Sequence, residues 1–261
     1  MKHISSRDNP LIKQLRALSE SARERRETGQ TVLDGVHLAE AALAAGVSLQ
    51  QLVVSERGMT RAEIIALLDA CEGTPSCLVP DALFAQLSPV DSPTGLLAVI
   101  DTPEDSVAPL SDTVIALDGV QDPGNLGTIL RTAAAAGVRD VLLGNGCVQA
   151  WAPRVLRAGM GGHFRLRLRE RVDLVTALKG FPGQVLATLP EASTPSLYQC
   201  DLSGPVAWLF GAEGAGLSSE VAALATGGVR IPMPGAVESL NVGAAVAVCL
   251  FEQARQRAAR P

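Results

Sequence analysis

Short apolar runs that alternate with helical patterns are the feature that most limits how this chain can fold. In the second half, the strand-like runs are TVIALDG, DVLLGN, QVLATL, PVAWLFG and GVRIPM, and helical patterns such as NLGTILRTAAAAG lie between them. Most of these runs are almost continuously apolar, which is typical of strands covered on both faces. Repeated strand–helix units of this kind predict an α/β fold with a mostly parallel sheet covered by helices.

The first hundred residues form a smaller alternation of the same kind. Residues 8–27 have the spacing of one amphipathic helix that starts at Asn9-Pro10. Short strand and helix patterns follow over residues 31–100, which indicates a small α/β unit. The polar stretch DTPEDSVAPLSD (101–112), with its two prolines, reads as a linker. The predicted domains are therefore 1–104 and 105–261.

Cysteine and histidine usage gives no sign of a metal site. Five cysteines lack C-x-x-C spacing, and the three histidines do not combine with them into a zinc pattern. The N-terminal residues lack the apolar segment of a signal peptide. The longest apolar run near the C-terminus, AAVAVCLF, is too short to cross a bilayer. We expect a cytoplasmic protein with no metal and no membrane partner.

The net charge is −5, but the basic residues are clustered. Residues 1–30 and 154–171 are rich in arginine, and basic segments on an acidic body suit a polyanion such as RNA. The alternative, that these arginines only solvate exposed faces, fits the 154–171 segment equally well. Aromatic residues are 3% of the chain, so phosphate contacts would have to carry affinity. The candidate RNA-binding residues are Lys13, Arg16, Arg154, Arg157, Arg165 and Arg167.

Three loops in the second half are rich in glycine, asparagine and acidic residues. They are LDGVQDPGNLGTILR (117–131), WLFGAEGAGLSSE (208–220) and IPMPGAVESLNVG (231–243). In the first, Arg131 follows Asn125 by six residues, and the alternative is that it is a surface or ion-pairing arginine in an otherwise apolar helix. Glycines in the second would let backbone approach a ligand, although their spacing is not the G-x-G-x-x-G of a dinucleotide site. In the third, Ser239 or Asn241 could cap a helix or hold a ligand at its entrance.

Together the three loops resemble the three motifs of the SpoU/TrmH family of RNA 2′-O-ribose methyltransferases, within the SPOUT superfamily. The resemblance covers roughly residues 112–257, with the motifs in matching order and spacing. The matching residues are Asn125, Gly127, Arg131, Gly211, Glu213, Gly214, Gly216, Leu217, Ile231, Pro232, Met233, Ser239, Leu240 and Asn241. The N-terminal segment also resembles the family's ribosomal-protein-like substrate-binding extension. Gly159 and Gly243 depart from the family pattern, because many relatives carry serine there.

The resemblance implies a deep trefoil knot in the C-terminal part, S-adenosylmethionine as cofactor, and a homodimer with the C-terminal helix near the interface. It implies 2′-O-methylation of a ribose in structured RNA, with ribosomal RNA favoured over transfer RNA. By position, the implied cofactor-binding residues are Leu209, Gly211, Ile231, Met233 and Leu240. The implied reaction centre comprises Asn125, Arg131, Glu213, Ser239 and Asn241.

A physical argument limits the role of Arg131 in such a reaction. A guanidinium keeps its proton throughout the ordinary pH range. We therefore expect Arg131 to bind the phosphate next to the reacting ribose and to stabilise the developing alkoxide. The proton would pass to phosphate, water or Glu213.

Two other functional classes fit parts of the pattern. A non-catalytic RNA-binding module could keep the same fold, although retention of all five reaction-centre residues favours an enzyme. A dinucleotide-dependent α/β enzyme is disfavoured because G-x-G-x-x-G does not follow the first strand.

Overall fold

A computed structural model describes residues 1–88, 93–189, 191, 193–235 and 237–259. The chain forms two compact units. The first unit contains residues 1–104 and 151–164, and the second contains residues 105–150 and 165–261. Residues 151–164 lie in the range that the sequence assigns to the second domain, and the domain boundary itself stays a prediction.

The first unit contains a five-stranded mixed sheet. Its strands are β1 (Lys2–His3), β2 (Gln30–Asp34), β3 (Leu49–Ser55), β4 (Ser76–Val79) and β5 (Leu96–Asp101), in the order β1-β4-β3-β5-β2. The strand β4 runs parallel to β1 and β3, whereas β5 runs antiparallel to β2 and β3. Its helices are α1 (Pro10–Glu20), α2 (Ala22–Thr28), α3 (Val36–Ala44), α4 (Ala62–Ala70), α5 (Asp81–Phe84) and, from the later segment, α7 (Pro153–Gly159).

The predicted helix over residues 8–27 is two helices that meet at Ser21. Asn9 caps α1 by accepting the N–H of Leu11 at 3.0 Å, and Pro10 occupies the first turn. Ser21 is extended and caps α2 through the N–H of Glu24 at 3.1 Å. The buried Arg25 donates to the Leu18 carbonyl at 2.6 Å. The prediction of one helix was therefore wrong, because a serine cap breaks the periodicity.

The segment 151–164 packs within the first unit. The Thr31 hydroxyl of β2 donates to the Trp151 carbonyl at 2.6 Å. At Gly161, a Cβ atom would lie 2.8 Å from the Ala41 Cβ of α3, so the backbone approaches that helix closely. Trp151 also packs against the rings of His163 and Phe164 at 5.5 and 5.9 Å.

The second unit contains a six-stranded sheet in which every pairing among the described strands is parallel. Its strands are β6 (Val114–Asp118), β7 (Asp140–Gly144), β8 (Arg167–Val172), β9 (Gln184–Thr188), β10 (Val206–Gly211) and β11 (Gly227–Val229), in the order β11-β9-β10-β6-β7-β8. Its helices are α6 (Pro123–Ala135), α8 (Leu174–Ala177), α9 (Ser219–Ala222) and α10 (Val242–Ala258). This confirms the predicted α/β fold with a mostly parallel sheet.

The central strands of this sheet are buried on both faces. The strands β6, β7 and β10 are apolar along nearly their whole length and almost fully enclosed, as their continuous apolar runs indicate. This arrangement brings the carboxyl ends of β6, β9 and β10 to one edge. Over the described ranges, no helix has the length and apolar character needed to cross a membrane.

Candidate active site

A cavity of about 550 Å³ opens in the second unit at the carboxyl ends of the strands. Open parallel α/β sheets bind ligands at this edge. Its walls come from the end of β9, the glycine loop after β10, the segment after β11 and the start of α10. The lining residues are Thr188, Leu189, Phe210, Gly211, Ala212, Glu213, Gly214, Gly216, Val229, Ile231, Met233, Glu238, Ser239, Leu240, Asn241, Val242 and Ala245.

The first loop places Asn125 through a helix cap. Asp122 caps α6 by accepting the N–H of Asn125 at 2.7 Å, and Pro123 occupies the first turn. Aspartate and proline are favoured at these two positions of a helix. The cap holds Asn125 in the first turn of α6, beside the end of β6.

The third loop places Asn241 in the same way, as the cap of α10. Its Oδ1 accepts the N–H groups of Gly243 at 2.9 Å and Ala244 at 3.3 Å. The cap therefore fixes the orientation of the amide, and Nδ2 is left to donate in the opposite direction. The Asn241 side chain thus both caps α10 and takes part in the site.

The three motifs meet in a triangle of hydrogen bonds. Asn241 Nδ2 donates to Asn125 Oδ1 at 2.8 Å and to Glu213 Oε1 at 2.9 Å. Asn125 Nδ2 donates to the same Glu213 oxygen at 2.6 Å. The two amides thus hold one carboxylate oxygen, and Glu213 Oε2 has no hydrogen-bond partner among the described residues. The arrangement presents an oriented carboxylate at the cavity.

The glycine loop depends on close contact of its own backbone. A Cβ atom on Gly211 would lie 2.1 Å from the carbonyl carbon of Gly216, so only glycine fits there. Ala212 and Gly216 exchange two backbone hydrogen bonds at 2.9 and 3.1 Å. The N–H of Ser218 donates to Asp118 Oδ2 at 2.7 Å, which ties the loop to the end of β6.

The other residues implied by the resemblance lie in different surroundings. Gly211, Ile231, Met233, Leu240 and Ser239 line the cavity, and Ser239 and Leu240 are exposed at its rim. The side chain of Leu209 is fully buried among the strands and does not line the cavity.

Arg131 is exposed on α6 and does not line the cavity. Its side chain makes no hydrogen bond or ion pair with any residue that the structure describes. Its side chain therefore keeps a free guanidinium, in contrast to the hydrogen-bonded triangle of Asn125, Glu213 and Asn241.

Several lining residues were missed in the sequence. Thr188 and Leu189 lie where β9 ends, and Val242 and Ala245 lie on the first turn of α10. The run QVLATL was interpreted only as a strand. A polar residue at the carboxyl end of a strand in a predicted parallel sheet was the available signal for Thr188.

The predicted RNA-binding residues fall into a paired and an unpaired set. Lys13 pairs with Asp8 at 3.1 Å, Arg157 lies 4.0 Å from the buried Asp34, and Arg167 pairs with the buried Asp140. The others have no ion pair among the described residues; Arg154 and Arg165 are exposed and Arg16 is half-buried. Arg154 and Arg157 belong to the first unit, whereas Arg165 and Arg167 belong to the second.

The cysteines are all free thiols. Burial raises the pKa of Cys77 to about 11 and of Cys249 to about 12, so both stay protonated at neutral pH. In the described part of the chain, no group of three or more histidine, cysteine or acidic side chains is placed to hold a metal ion.

Two family models match the chain. The SpoU rRNA Methylase family matches residues 112–251, which hold all three loops of the site. The MRM3-like substrate binding domain matches residues 9–98 of the first unit.

Similar proteins extend over almost the whole chain. A tRNA/rRNA methyltransferase of Synechocystis, slr1673, described as uncharacterized, is 38% identical over 97% of this chain and 94% of its own length. The 23S rRNA (guanosine(2553)-2′-O)-methyltransferase RlmP of Bacillus subtilis is 30% identical over 96% and 98%. The crystal structure of an AdoMet-bound rRNA methyltransferase from Sinorhizobium meliloti has a TM-score of 0.83 and 31% identity over 97% of both chains. With three motifs joined by hydrogen bonds beside one cavity, and with these matches, the chain belongs to the SpoU rRNA methylase family.

Proposed function

We propose that this protein transfers a methyl group from S-adenosylmethionine to the 2′-hydroxyl of a ribose in ribosomal RNA. The observation that carries the proposal is the hydrogen-bonded triangle of Asn125, Glu213 and Asn241 at the edge of the 550 Å³ cavity. Family membership and the rRNA methyltransferases among the relatives support the reaction class. Ribosomal RNA is favoured over transfer RNA because RlmP is a 23S rRNA methyltransferase by name.

The cavity fits a cofactor the size of S-adenosylmethionine. Its volume lies within the range of about 300–1,000 Å³ that is usual for small-molecule sites. Ile231, Met233 and Leu240 offer apolar surface, and Gly211 lets the backbone come close. When bound, the cofactor would supply an electrophilic methyl group on a sulfonium. Leu209 would contribute only through its backbone, because its side chain is buried.

The chain's own residues would orient and activate the ribose hydroxyl. A hydroxyl is a weak nucleophile until its proton is drawn away. Glu213 Oε2 is free to accept that proton, because only Oε1 is held by the two amides. Arg131 has a free guanidinium that would hold a neighbouring phosphate and stabilise negative charge on the ribose oxygen. Ser239 would contact the ribose or the cofactor from the rim.

We further propose that the second unit contains the deep trefoil knot of SPOUT enzymes. Residues of the glycine loop after β10 and of the segment just before α10 line the same cavity, and this placement supports the proposal together with family membership.

We also propose a homodimer in which α10 lies at the interface. Ala244, Val248 and Phe251 follow one another at helical spacing, and Phe251 is 52% exposed. Light scattering at micromolar concentration should give twice the chain mass, and a monomer mass would contradict this proposal. With bacterial rRNA methyltransferases among the relatives, we expect the protein to act in the cytoplasm.

We propose that the predicted domain 1–104 binds RNA and that the predicted domain 105–261 carries out catalysis. The substrate-binding family model over 9–98 supports the first assignment. The free side chains of Arg154, Arg165 and Arg16 are the best candidates for phosphate contacts, because the other predicted RNA-binding side chains already face carboxylates.

Methyl transfer from labelled S-adenosylmethionine to total RNA that includes ribosomal precursor particles tests the proposed function. Wild type and Arg131→Ala are compared, and modified riboses are mapped by sequencing. We expect one labelled ribose in rRNA with wild type and a large loss with the variant. Neither label nor cofactor binding would indicate the alternative, a non-catalytic RNA-binding module on the same fold, whereas cofactor binding without label would mean that the substrate is missing from the RNA tested.

A further inference from the structure

A second cavity, of about 320 Å³, lies within the first unit where β2 passes into α3. It is distinct from the larger cavity of the second unit, and all its lining residues belong to the first unit. Its polar rim consists of His37, Glu40, Arg61, Glu63, Thr94 and Arg157. These side chains come from four separate parts of the chain, so no short sequence motif indicates the site.

The wall of this cavity is built around a buried carboxylate. Asp34 is 1% exposed, and it accepts the hydroxyls of Ser88 at 2.5 Å and Thr94 at 2.9 Å. Arg157 Nη1 lies 4.0 Å from the same carboxylate and donates to the Asp34 carbonyl at 3.4 Å. The charge of Asp34 is thus balanced inside the wall, and these contacts hold Thr94 and Arg157 in place.

The groups on the rim are partly fixed and partly free. Arg61 donates to the Thr94 carbonyl at 2.8 Å and pairs with Glu63 at 2.5 Å, which fixes the guanidinium plane while leaving it half-exposed. Glu40 is exposed and has no partner among the described residues. The N–H groups at the start of α3 meet no side-chain cap, since Gly35 precedes the helix. A ligand would therefore find both donors and acceptors.

The charges argue against a bare phosphate as the occupant. On the rim, the two guanidiniums of Arg61 and Arg157 are matched by the carboxylates of Glu40 and Glu63, and Asp34 adds a negative charge in the wall, so the cavity lining has no excess of positive charge from these groups. A nucleobase edge, by contrast, offers hydrogen-bond donors beside acceptors and matches a mixed rim. Unpaired bases in RNA are held by guanidinium planes and by hydrogen bonds to their edges. The volume lies at the lower end of the small-molecule range.

We propose that this cavity binds one unpaired nucleotide of the substrate RNA, with its base inserted against Arg61 and Glu40. The proposal rests on the proposed function, because that function makes RNA the ligand. It gives the first unit a defined contact with an unpaired base, in addition to phosphate contacts on its surface.

The test is a titration of the full chain with each of the four nucleoside 5′-monophosphates, read by saturation-transfer NMR. Saturating S-adenosylmethionine keeps the larger cavity filled. We expect saturable binding of at least one nucleotide, and loss of a charge-assisted hydrogen bond in Arg61→Gln should weaken it roughly ten-fold. Glu40→Gln, at an exposed position without partners, should weaken it without affecting the fold.

Arg57→Gln is the matched control. Arg57 lies four residues before Arg61 in the chain and pairs with Asp81, but it does not line the cavity. Binding that is unchanged in Arg61→Gln and Glu40→Gln, or the absence of saturable binding by any nucleotide, would overturn the proposal. Methyl transfer and cofactor binding by wild type are measured separately, so failure of the proposed function is distinguishable from failure of this site.

Discussion

The two cavities differ in what lines them. The larger cavity, in the second unit, combines apolar and uncharged polar side chains of segments that follow parallel strands, and hydrogen bonds orient the Glu213 carboxylate in its wall. The smaller one, in the first unit, is rimmed by charged side chains around a buried aspartate. The larger cavity should therefore be sensitive to side-chain atoms added at its glycines and to loss of the hydrogen bonds that orient Glu213. The smaller cavity should be sensitive to loss of single charged groups.

The largest expected effect comes from Asn241→Asp. Aspartate caps a helix as well as asparagine does, so α10 should keep its start. The two hydrogen bonds that Nδ2 donates to Asn125 and Glu213 would be lost, and a second carboxylate would face Glu213. The triangle orients the carboxylate proposed as proton acceptor, and because general acid–base catalysis contributes about 10²–10⁴-fold, we expect kcat to fall by about 10²-fold or more. Labelled methyl transfer measures the loss.

Asn241→Ala is the comparison variant for that experiment. It removes both the cap and the triangle, so the melting temperature should fall together with activity. If Asn241→Asp retained wild-type kcat, the triangle would have no part in the reaction.

Gly211→Ala should distort the larger cavity, because it adds a Cβ atom to the glycine loop. The new Cβ would lie 2.1 Å from the Gly216 carbonyl carbon, so the glycine loop must move. We expect S-adenosylmethionine affinity to fall at least ten-fold, with about 1–3 kcal/mol of lost stability. Isothermal titration and urea unfolding measure the two effects. Gly204→Ala is the control, since its Cβ meets nothing within 4 Å, and an equal loss there would contradict the argument.

The wall that α10 contributes depends on a buried hydrogen bond farther along the helix. Trp208 Nε1 of β10 donates to Gln253 Oε1 at 2.8 Å, and both residues are buried. Gln253→Leu leaves the indole N–H without its acceptor, which costs about 1–3 kcal/mol. Urea unfolding should show that loss. Adding Trp208→Phe removes the unsatisfied donor, and the double variant should lose less than the sum of the two single variants.

Variants of Arg165 and Arg167 compare an arginine without an ion pair with an arginine that forms one. Arg165 is exposed without an ion pair among the described residues, whereas Arg167 pairs with the buried Asp140. Arg165→Gln should weaken RNA binding and lower the salt slope by about 1 without a change in stability. Arg167→Gln should mainly destabilise the fold, because it leaves a buried carboxylate unpaired. The reverse pattern would remove Arg165 from the RNA interface.

The last prediction concerns pH and applies only below the neutral range. Hydrogen bonds from Arg255, and then from Gln256, lower the pKa of Glu252 from 4.5 to about 2. A carboxylate with a lowered folded-state pKa stabilises the fold above its unfolded pKa, and that contribution is lost as pH falls from about 4.5 towards 2. The urea midpoint of wild type should therefore fall more steeply over this range than that of Glu252→Gln. Parallel curves would contradict the assignment.

Local patterns predicted much of the second unit. The apolar runs identified five of the six strands, whereas β8 was missed because its arginine-rich sequence was interpreted only as part of a basic cluster. The caps at Asn9 and Asn241 were also readable, because a cap depends only on the next three residues. The single helix predicted over 8–27 failed because Ser21 can end one helix and begin another.

Side-chain partners far apart in the chain could not be predicted in the same way. Arg167 was interpreted as an RNA-binding residue, but its partner Asp140 lies 27 residues away and on a neighbouring strand. The rim of the smaller cavity likewise joins Arg61, Thr94 and Arg157. No short window of sequence contains such a set.

The sequence by itself determined most of the strands, the caps at Asn9 and Asn241 and the glycine loop, because these depend on neighbouring residues and on backbone geometry. Only the tertiary structure decided that Asn125, Glu213 and Asn241 share hydrogen bonds across 88 and 116 residues of chain. The physical reason is the parallel sheet. It gathers the carboxyl ends of distant strands at one edge, and the caps at that edge then fix which way each amide points.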